Sequence, residues 1–228
     1  LKRYFFDEDW KNMFSKIEKR VNNTPFGLVD ITKDEDKMIV VAYSDKSPGN
    51  YYLYDVKTDS LTHIANIYPW LKEENMAAMN CVNYNSRDGL EIEAYLTLPK
   101  GYTVESAKNL PVVINPHGGP WARDNWGFNP EVQFLANRGY AVFQMNFRGS
   151  TGFGRKFWEA SFKQWGQRMQ DDITDGVNWL VDKGIADPER VAIYGGSYGG
   201  YATLAGLTVT PDLYTCGIDY VGVSSLCT

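Results

Sequence analysis

The segment that most constrains the fold is a short turn between a predicted strand and a predicted helix. RVAIYG (190–195) reads as a buried strand and YATLAGL (201–207) as the start of a helix. Gly195-Gly196-Ser197-Tyr198-Gly199 spans the junction and fits the pattern G-x-S-x-G. A sharp strand-to-helix turn strains its central residue and needs small neighbours. The pattern therefore predicts that the Ser197 hydroxyl lies at the carboxyl end of a sheet, beside a helix N-terminus that favours negative charge. A glycine-rich turn with an idle serine is the alternative.

Apolar segments alternate with helical patterns through this part of the chain. PVVINPH (111–117), YAVFQMNF (140–147) and RVAIYGGS (190–197) read as strands, with helical patterns at 130–138 and about 171–183. This alternation predicts an α/β fold with a doubly wound, mostly parallel sheet. A last strand, CGIDYVGVSS, follows a helix predicted at 198–207 and ends the chain, so we expect a truncated domain.

The first eighty residues follow a different pattern. Residues 7–20 carry apolar side chains at helical spacing, and beyond Pro25 come four short strand patterns with turn residues between them: FGLVDIT, KMIVVAYSD, NYYLYDV and SLTHIAN. Four short antiparallel strands are typical of one blade of a β-propeller. A short helix is predicted near 69–78, and Asp88-Gly89 predicts a hairpin between the next two strands.

These patterns predict two domains. Residues 1–78, a helix plus one blade, are interpreted as the C-terminal part of a β-propeller. Residues 79–228 are interpreted as the N-terminal portion of an α/β domain whose C-terminal part is missing. Since Leu1 is expected to lie inside a longer polypeptide, the compartment stays open: cytoplasmic is the first expectation, periplasmic or secreted the alternative.

Composition excludes several functions. The 23 basic residues do not cluster and are outnumbered by 28 acidic ones, which argues against nucleic acid as a partner, and no apolar run is long enough for a membrane span. Three cysteines without a CxxC pair are expected to be buried thiols rather than zinc ligands. GSTGFG (149–154) resembles a dinucleotide fingerprint only in its glycines. We therefore expect no metal and no cofactor, and oligomeric state stays open.

The second motif, His117-Gly118-Gly119-Pro120, ends the strand PVVINPH. Glycines there allow the backbone to approach a substrate and direct N–H groups at an oxyanion. An ordinary turn at a strand end is the alternative.

Four segments together resemble the prolyl oligopeptidase family of serine peptidases, and within it the acylaminoacyl-peptidase and dipeptidyl-aminopeptidase branch. They are HGGPWARDNWGFNPEVQFLANRGYAV, NFRGSTGFG, QDDITDGVNWL and GGSYGGYATLAGL. The resemblance runs from about Met79 to Thr228 and implies an α/β-hydrolase domain preceded by a propeller that admits only short peptides. It implies that Ser197 is the nucleophile, that the amides of Tyr198 and Gly119 are oxyanion donors, and that catalysis passes through an acyl-enzyme.

The sequence departs from the family in its histidines. The triad order is Ser, then Asp or Glu, then His, but His63 and His117 both precede Ser197. His117 belongs to the oxyanion loop, and His63 is interpreted as an ordinary strand residue. Asp212 and Asp219 follow Ser197, but neither is assigned as the triad acid. The chain as given is therefore expected to be inactive alone, although part of a serine peptidase.

An esterase with the same turn and a structural or interaction fragment are the alternative functions. Other tempting residues are interpreted structurally. Asp171 and Asp172 are expected to open a helix, and Arg148 to form ion pairs or, less readily, to bind substrate. Two roles stay open for the three large side chains that follow the glycine motif: they line a peptide pocket, or they pack beneath the propeller. These residues are Trp121, Arg123 and Trp126.

Overall fold

The computed structural model describes residues 3–225, which fall into two compact units. One unit contains the residues up to Met76 together with Gly127–Asn129, and the other contains Ala77–Trp126 and the residues from Pro130 onward. None of the helices in the described part of the chain is both long and apolar enough to cross a membrane.

The first unit is one helix and one antiparallel sheet. Helix α1 spans Glu8–Arg20 and begins after Asp7, whose carboxylate accepts hydrogen bonds from the amides of Asp9 and Trp10 at 2.8 and 3.0 Å. The four strands pair in sequence order: β1 (Phe26–Ile31), β2 (Lys37–Ala42), β3 (Asn50–Asp55) and β4 (Ser60–Asn66). The predicted helix and the four predicted strands are confirmed.

The core of this unit forms where α1 packs on the sheet. Alternate residues of β2, Met38, Val40 and Ala42, are buried together with Ile17 of α1 and Tyr54 of β3. The helix predicted near 69–78 is wrong, since the segment forms only a short 3₁₀ turn at Glu73–Asn75. No residue of that turn is buried, and the backbone amide and carbonyl of Ala77, which follows it, bond to the Gln133 side chain instead of continuing a helix.

The second unit contains a six-stranded mixed sheet. Its order is β10-β9-β7-β8-β6-β5, in which β10, β9, β7 and β8 are parallel and the β5–β6 hairpin is antiparallel. The strands are β5 (Met79–Asn85), β6 (Glu91–Thr97), β7 (Leu110–Ile114), β8 (Ala141–Met145), β9 (Ala186–Gly196) and β10 (Cys216–Tyr220). The predicted mostly parallel sheet and the hairpin at Asp88-Gly89 are confirmed.

Four helices and a 3₁₀ turn connect these strands: α2 (Pro130–Asn137), α3 (Arg155–Glu159), α4 (Arg168–Asp182), α5 (Tyr198–Val209) and the turn Pro211–Leu213. Central strands β7 and β8 are buried almost throughout, as expected of strands inside an α/β sheet. The carboxyl ends of the parallel strands lie at one edge of the sheet, so the loops that follow β7, β8 and β9 meet there.

Three predictions about this unit need correction. Helix α4 begins at Arg168 rather than near Asp171, so Asp171 lies in its first turn. The last strand ends at Tyr220, earlier than the predicted residue 225. Cys81 and Cys216 are exposed rather than buried because β5 and β10, which carry them, are the two edge strands of the sheet. Cys227 lies outside the described residues.

Candidate active site

The turn between β9 and α5 exposes Ser197. This side chain is exposed, whereas Tyr198 and Gly199 beside it are buried. Ser197 has φ 56° and ψ −119°, a left-handed conformation that is strained for a residue with a side chain. Its amide donates to the Tyr220 carbonyl at 3.1 Å, and its carbonyl accepts from the Tyr201 amide at 3.0 Å. The Ser197 hydroxyl makes no capping hydrogen bond to α5.

The glycines of the motif have a direct steric reason. A Cβ atom on Gly195 would lie 2.5 Å from the carbonyl carbon and oxygen of Gly199. A Cβ atom on Gly199 would overlap the Pro116 carbonyl oxygen. By contrast, a Cβ atom on Gly196 would meet Tyr220 Cδ1 at 3.4 Å, an ordinary contact. The first and last glycines of the pattern are therefore required by close backbone packing, and the second is not.

Tyr198 is the first residue of α5, which places its amide at the helix N-terminus. Its ring is 3% exposed and packs on Phe147, Trp165 and Tyr201 at centroid distances of 5.7, 5.3 and 5.5 Å. Burial raises the pKa of the Tyr198 phenol above its ordinary value, so the ring stays neutral. The side chain anchors the start of the helix while the backbone remains beside Ser197.

The loop after β7 packs directly against Ser197. A Cβ atom on Gly118 would lie 3.4 Å from Ser197 Cβ and 4.0 Å from Ser197 Oγ, so a side chain there would fill the space in front of the hydroxyl. Gly119 has φ 118°, and a Cβ atom on it would lie 2.7 Å from the Trp121 amide nitrogen. The loop therefore needs both glycines, one to approach Ser197 and one to make its own turn.

His117 connects this loop to the segment that follows β8. Its Nδ1 lies 2.7 Å from the Gly118 carbonyl oxygen and its Nε2 lies 2.8 Å from Ser150 Oγ. Because a carbonyl only accepts, Nδ1 carries the proton and Nε2 accepts from Ser150, whose hydroxyl proton is shared with the Phe147 carbonyl at 2.7 Å. The imidazole also stacks on the Phe147 ring at 4.3 Å. Burial lowers the pKa of His117 to about 4. Both nitrogens are therefore engaged away from Ser197.

The segment after β8 is held by a buried guanidinium. Arg148 donates from Nε and Nη2 to the two carboxylate oxygens of Asp172 at 2.8 and 2.7 Å, and from Nη1 and Nη2 to Asp88 at 2.9 Å each. The side chains of Arg148 and Asp172 are 3% and 0% exposed. Burial alone would lower the pKa of Arg148, but the hydrogen bonds to both carboxylates raise it. The predicted ion pairing of Arg148 is confirmed. The prediction that Asp172 opens a helix is wrong, because its carboxylate pairs with Arg148 inside α4.

The other residues singled out in the sequence have structural partners. Arg123 lies over the Phe153 ring at 4.5 Å and donates to Glu93 at 3.2 Å, and Trp126 Nε1 donates to the Met79 carbonyl at 3.1 Å. Trp121 Nε1 donates to Ser161 Oγ at 3.1 Å, but 48% of the Trp121 surface remains exposed.

The remaining histidine and the two downstream acids have positions and partners of their own. His63 lies on β4 of the first unit and hydrogen bonds with Asn66 Oδ1 at 2.6 Å. Asp212 lies in the 3₁₀ turn after α5, and Asp219 lies in β10 against the backbone of Gly200 and Gly222. Within residues 3–225 no group of His, Cys, Asp and Glu side chains could hold a metal ion.

Sequence reasoning missed Gly118 as the glycine nearest to Ser197, and it missed Ser150 as the partner of His117. The HGGP motif does not show which of its glycines lies nearest to Ser197. The only sequence signal for Ser150 is that NFRGS follows a neighbouring strand of the sheet and therefore ends at the same edge.

Comparisons with known proteins agree with this arrangement. Residues 126–228 match the model of the prolyl oligopeptidase family. Dipeptidyl aminopeptidase BIII of Pseudoxanthomonas mexicana is 46% identical over 197 residues, which cover 84% of this chain and 29% of that protein. Dipeptidyl peptidase family member 6 of Caenorhabditis elegans is 37% identical over 231 residues, covering 92% of this chain and 31% of the relative.

A solved structure of a puromycin-hydrolyzing peptidase from Mycobacterium tuberculosis superposes with a TM-score of 0.73 at 29% identity, covering 84% of this chain and 29% of that one. The chain thus spans less than a third of the length of the curated relatives it matches. The family resemblance and the α/β-hydrolase fold expected from the sequence are confirmed.

Proposed function

We propose that this chain, which belongs to the prolyl oligopeptidase family through residues 126–228, carries the nucleophile and oxyanion donors of a serine peptidase. The substrates proposed are short peptides, from which the enzyme releases dipeptides or acylated residues at the N-terminus. The observation that carries the proposal is the exposed Ser197 in a strained strand-to-helix turn, with the glycine loop packed in front of it. Relatives named as dipeptidyl aminopeptidase and dipeptidyl peptidase support the substrate class.

In the proposed reaction, Ser197 Oγ attacks the scissile carbonyl carbon and its proton passes to a general base. The carbonyl oxygen becomes an oxyanion, which the amides of Tyr198 and Gly119 stabilise by donating hydrogen bonds. The tetrahedral species then expels the amine, which takes up the proton, and leaves an acyl group on Ser197. Water hydrolyses that ester and regenerates the hydroxyl. Preorganised donors of this kind contribute roughly 3–4 kcal/mol to the transition state.

The general base is proposed to come from outside these 228 residues. His117 is occupied with Gly118 and Ser150, and no histidine follows Ser197 in the sequence. We therefore expect the 228-residue chain alone to show no efficient turnover, because the donors and binding by themselves give only roughly 10³–10⁴-fold over water. Efficient turnover by this chain, lost in Ser197→Ala, would contradict that assignment.

Activity of the natural full-length protein tests the function. Dipeptidyl and N-acetyl-aminoacyl p-nitroanilides distinguish the two release modes, and p-nitrophenyl esters test the esterase alternative. We expect p-nitroaniline release from at least one anilide, its loss in Ser197→Ala, and its retention in Ser106→Ala, a serine in the loop between β6 and β7. Gly119→Val should lower kcat/KM because its side chain crowds the loop. Ester hydrolysis alone would favour the esterase, and no turnover of any substrate would favour a structural fragment.

We also propose that residues 1–78 belong to a β-propeller that limits access to short peptides. The four-stranded antiparallel sheet of β1 to β4 supports this assignment. The natural protein should then cleave a short peptide but leave the same sequence intact within an unfolded polypeptide of a hundred residues or more. Equal cleavage of both would contradict this role.

A further inference from the structure

Three large aromatic side chains are exposed together in the second unit. Trp121, Phe162 and Trp165 are 48%, 43% and 36% exposed, and with Lys163 they line an open groove of about 530 Å³. Single exposed aromatics are common on soluble proteins, but a cluster of this kind marks a binding surface more often than chance. The groove takes no part in the acyl transfer described above.

The rings of the groove are held in fixed orientations. Trp121 contacts Trp158, Phe162 and Trp165 edge to face at centroid distances of 5.7, 6.0 and 6.1 Å. Its indole Nε1 donates to Ser161 Oγ at 3.1 Å, and that hydroxyl donates to the Trp158 carbonyl at 2.6 Å. A ligand ring therefore meets a preformed aromatic surface, so little side-chain entropy is lost on binding.

The groove adjoins both proposed oxyanion donors. Trp121 follows the glycine loop so closely that a Cβ atom on Gly119 would lie 2.7 Å from its amide nitrogen. On the other side, the Trp165 ring packs against the Tyr198 ring at 5.3 Å, and Tyr198 follows Ser197 in the chain. A peptide whose carbonyl oxygen lies between the donors would therefore have a neighbouring part of its chain within reach of the groove.

The charge of the lining selects among ligands. Tryptophan faces attract both aromatic rings and cations. Lys163, an exposed residue in the left-handed conformation at φ 58°, is the one ionisable side chain among the described residues that line the groove. Its ammonium group repels a second cation, so the lining favours a neutral ring over a lysine or arginine side chain.

We propose that Trp121, Phe162 and Trp165 form a subsite for an aromatic side chain of the peptide substrate, and that Lys163 excludes cationic side chains from it. The proposal rests on the proposed function, because it assigns a specificity site to that reaction. The aromatic side chain belongs either to the acyl part of the peptide or to its leaving part.

Two substrate series separate these sources in the natural full-length protein. The first series varies one acyl-side residue among Phe, Ala and Lys with a common p-nitroaniline leaving group. The second keeps the acyl part and varies the residue after the scissile bond among the same three. In at least one series, we expect kcat/KM to be highest for Phe and lowest for Lys.

Phe162→Ala should reduce the Phe-to-Ala ratio of kcat/KM by about tenfold in that series, since it removes half-exposed ring surface from the groove. Lys163→Glu should raise the Lys-to-Ala ratio severalfold, because it replaces repulsion by attraction. The matched control is Tyr102→Ala, an aromatic side chain that is 47% exposed and follows β6 at the opposite edge of the sheet. It should leave both ratios unchanged. Ratios unchanged by both groove variants in both series would overturn the proposal.

A binding measurement keeps the subsite testable if the protein proves not to hydrolyse peptides. Tryptophan fluorescence of the Ser197→Ala protein, titrated with N-acetyl-phenylalaninamide, should show saturable quenching that Phe162→Ala weakens and Tyr102→Ala does not. Saturable quenching without hydrolysis by the wild type would contradict the proposed function and support the groove. Peptide hydrolysis, combined with no Phe162-dependent quenching and no shift in the kcat/KM ratios, would support the proposed function and contradict the aromatic subsite.

Discussion

The two turns that meet at the candidate site are held in place by different forces. The turn containing Ser197 is shaped by backbone packing, since side chains on Gly195 or Gly199 would overlap main-chain atoms. The glycine loop from His117 to Pro120 also needs its two glycines, but side chains join it to other segments, through the His117–Ser150 hydrogen bond and the stacking on Phe147. The first is therefore visible in a short motif, whereas the second depends on residues far away in the sequence.

This difference predicts how each turn fails. Close backbone packing leaves no room to adjust, so a methyl group added at Gly195 or Gly199 should disrupt the first turn. A loop held by several side-chain contacts should lose function in steps, as each contact is removed.

The largest effect is expected from Gly199→Ala. The new Cβ atom would overlap the Pro116 carbonyl oxygen, and because this neighbour is a backbone atom, a side-chain movement cannot relieve the overlap. We expect a loss of roughly 4–5 kcal/mol of stability or failure to fold, and loss of all Ser197 reactivity. Gly196→Ala is the control within the same motif, because its Cβ atom makes only a 3.4 Å contact with Tyr220. Equal effects of the two variants on the denaturation midpoint would show that close backbone packing at Gly199 does not shape the turn.

The next effect is expected from Arg148→Met, which leaves Asp172 buried and unpaired. Removing one partner of a buried pair costs about 3–5 kcal/mol. Arg87→Met is the matched control, because Arg87 also joins the β5–β6 hairpin to α4, through Asp171 and Asp175 at 2.8 Å each, but its side chain is 51% exposed. That variant should cost at most about 1 kcal/mol. Chemical denaturation of both proteins measures the difference, and similar losses would show that burial of the pair is not what matters.

A smaller, pH-dependent effect is expected at His117. Burial holds its folded-state pKa at about 4, below the ordinary 6.5, so the unfolded chain takes up a proton that the folded protein does not. The stability that His117 contributes is therefore complete above pH 6.5 and is lost as the pH falls towards 4, by at most about 1.4 kcal/mol per pH unit.

The measurement is the stability of the wild type minus that of His117→Gln between pH 8 and pH 4. The subtraction removes the contribution of Asp124, whose pKa burial raises to about 6 and which titrates in the same window. A difference that does not vary with pH would show that His117 is not buried in its neutral form.

The smallest effect is expected from Ser150→Ala. The hydrogen bond to His117 Nε2 is lost, which should cost about 0.5–1.5 kcal/mol. Since the glycine loop then moves more freely, kcat should fall by about threefold to tenfold with little change in KM. Thr151→Ala, a neighbouring exposed hydroxyl, is the control and should have no effect. A raised KM with unchanged kcat would instead show that Ser150 contributes to substrate binding and not to the chemical step.

The contrast between the two turns also explains what could be predicted from sequence. Strand alternation and the G-x-S-x-G spacing are local signals, so the four strands of the first unit, the hairpin and the position of Ser197 were all predictable. Helix α3 was not, because Arg155–Glu159 is too short to show a helical period and has no buried residue. The true start of α4 was missed because Asp172 pairs with Arg148, and only the fold brings these residues together.

The aromatic groove was only partly visible in the sequence. Trp121 drew attention by following the glycine loop, but its partners Phe162 and Trp165 lie beyond α2, β8 and α3. Their spacing matches no regular element, so only the structure shows that the three rings meet. The same holds for the exposed cysteines, since strand order and not local sequence decides which strands lie at the sheet edges.

Covalent labelling tests most directly whether the strained turn presents Ser197 as the nucleophile. The natural full-length protein is treated with a fluorophosphonate, digested, and mapped by mass spectrometry, alongside Ser197→Ala. We expect a single adduct on the peptide that contains Ser197, and no adduct in the variant. An adduct on another residue, or labelling that persists in Ser197→Ala, would contradict the claim that this strained turn presents the nucleophile.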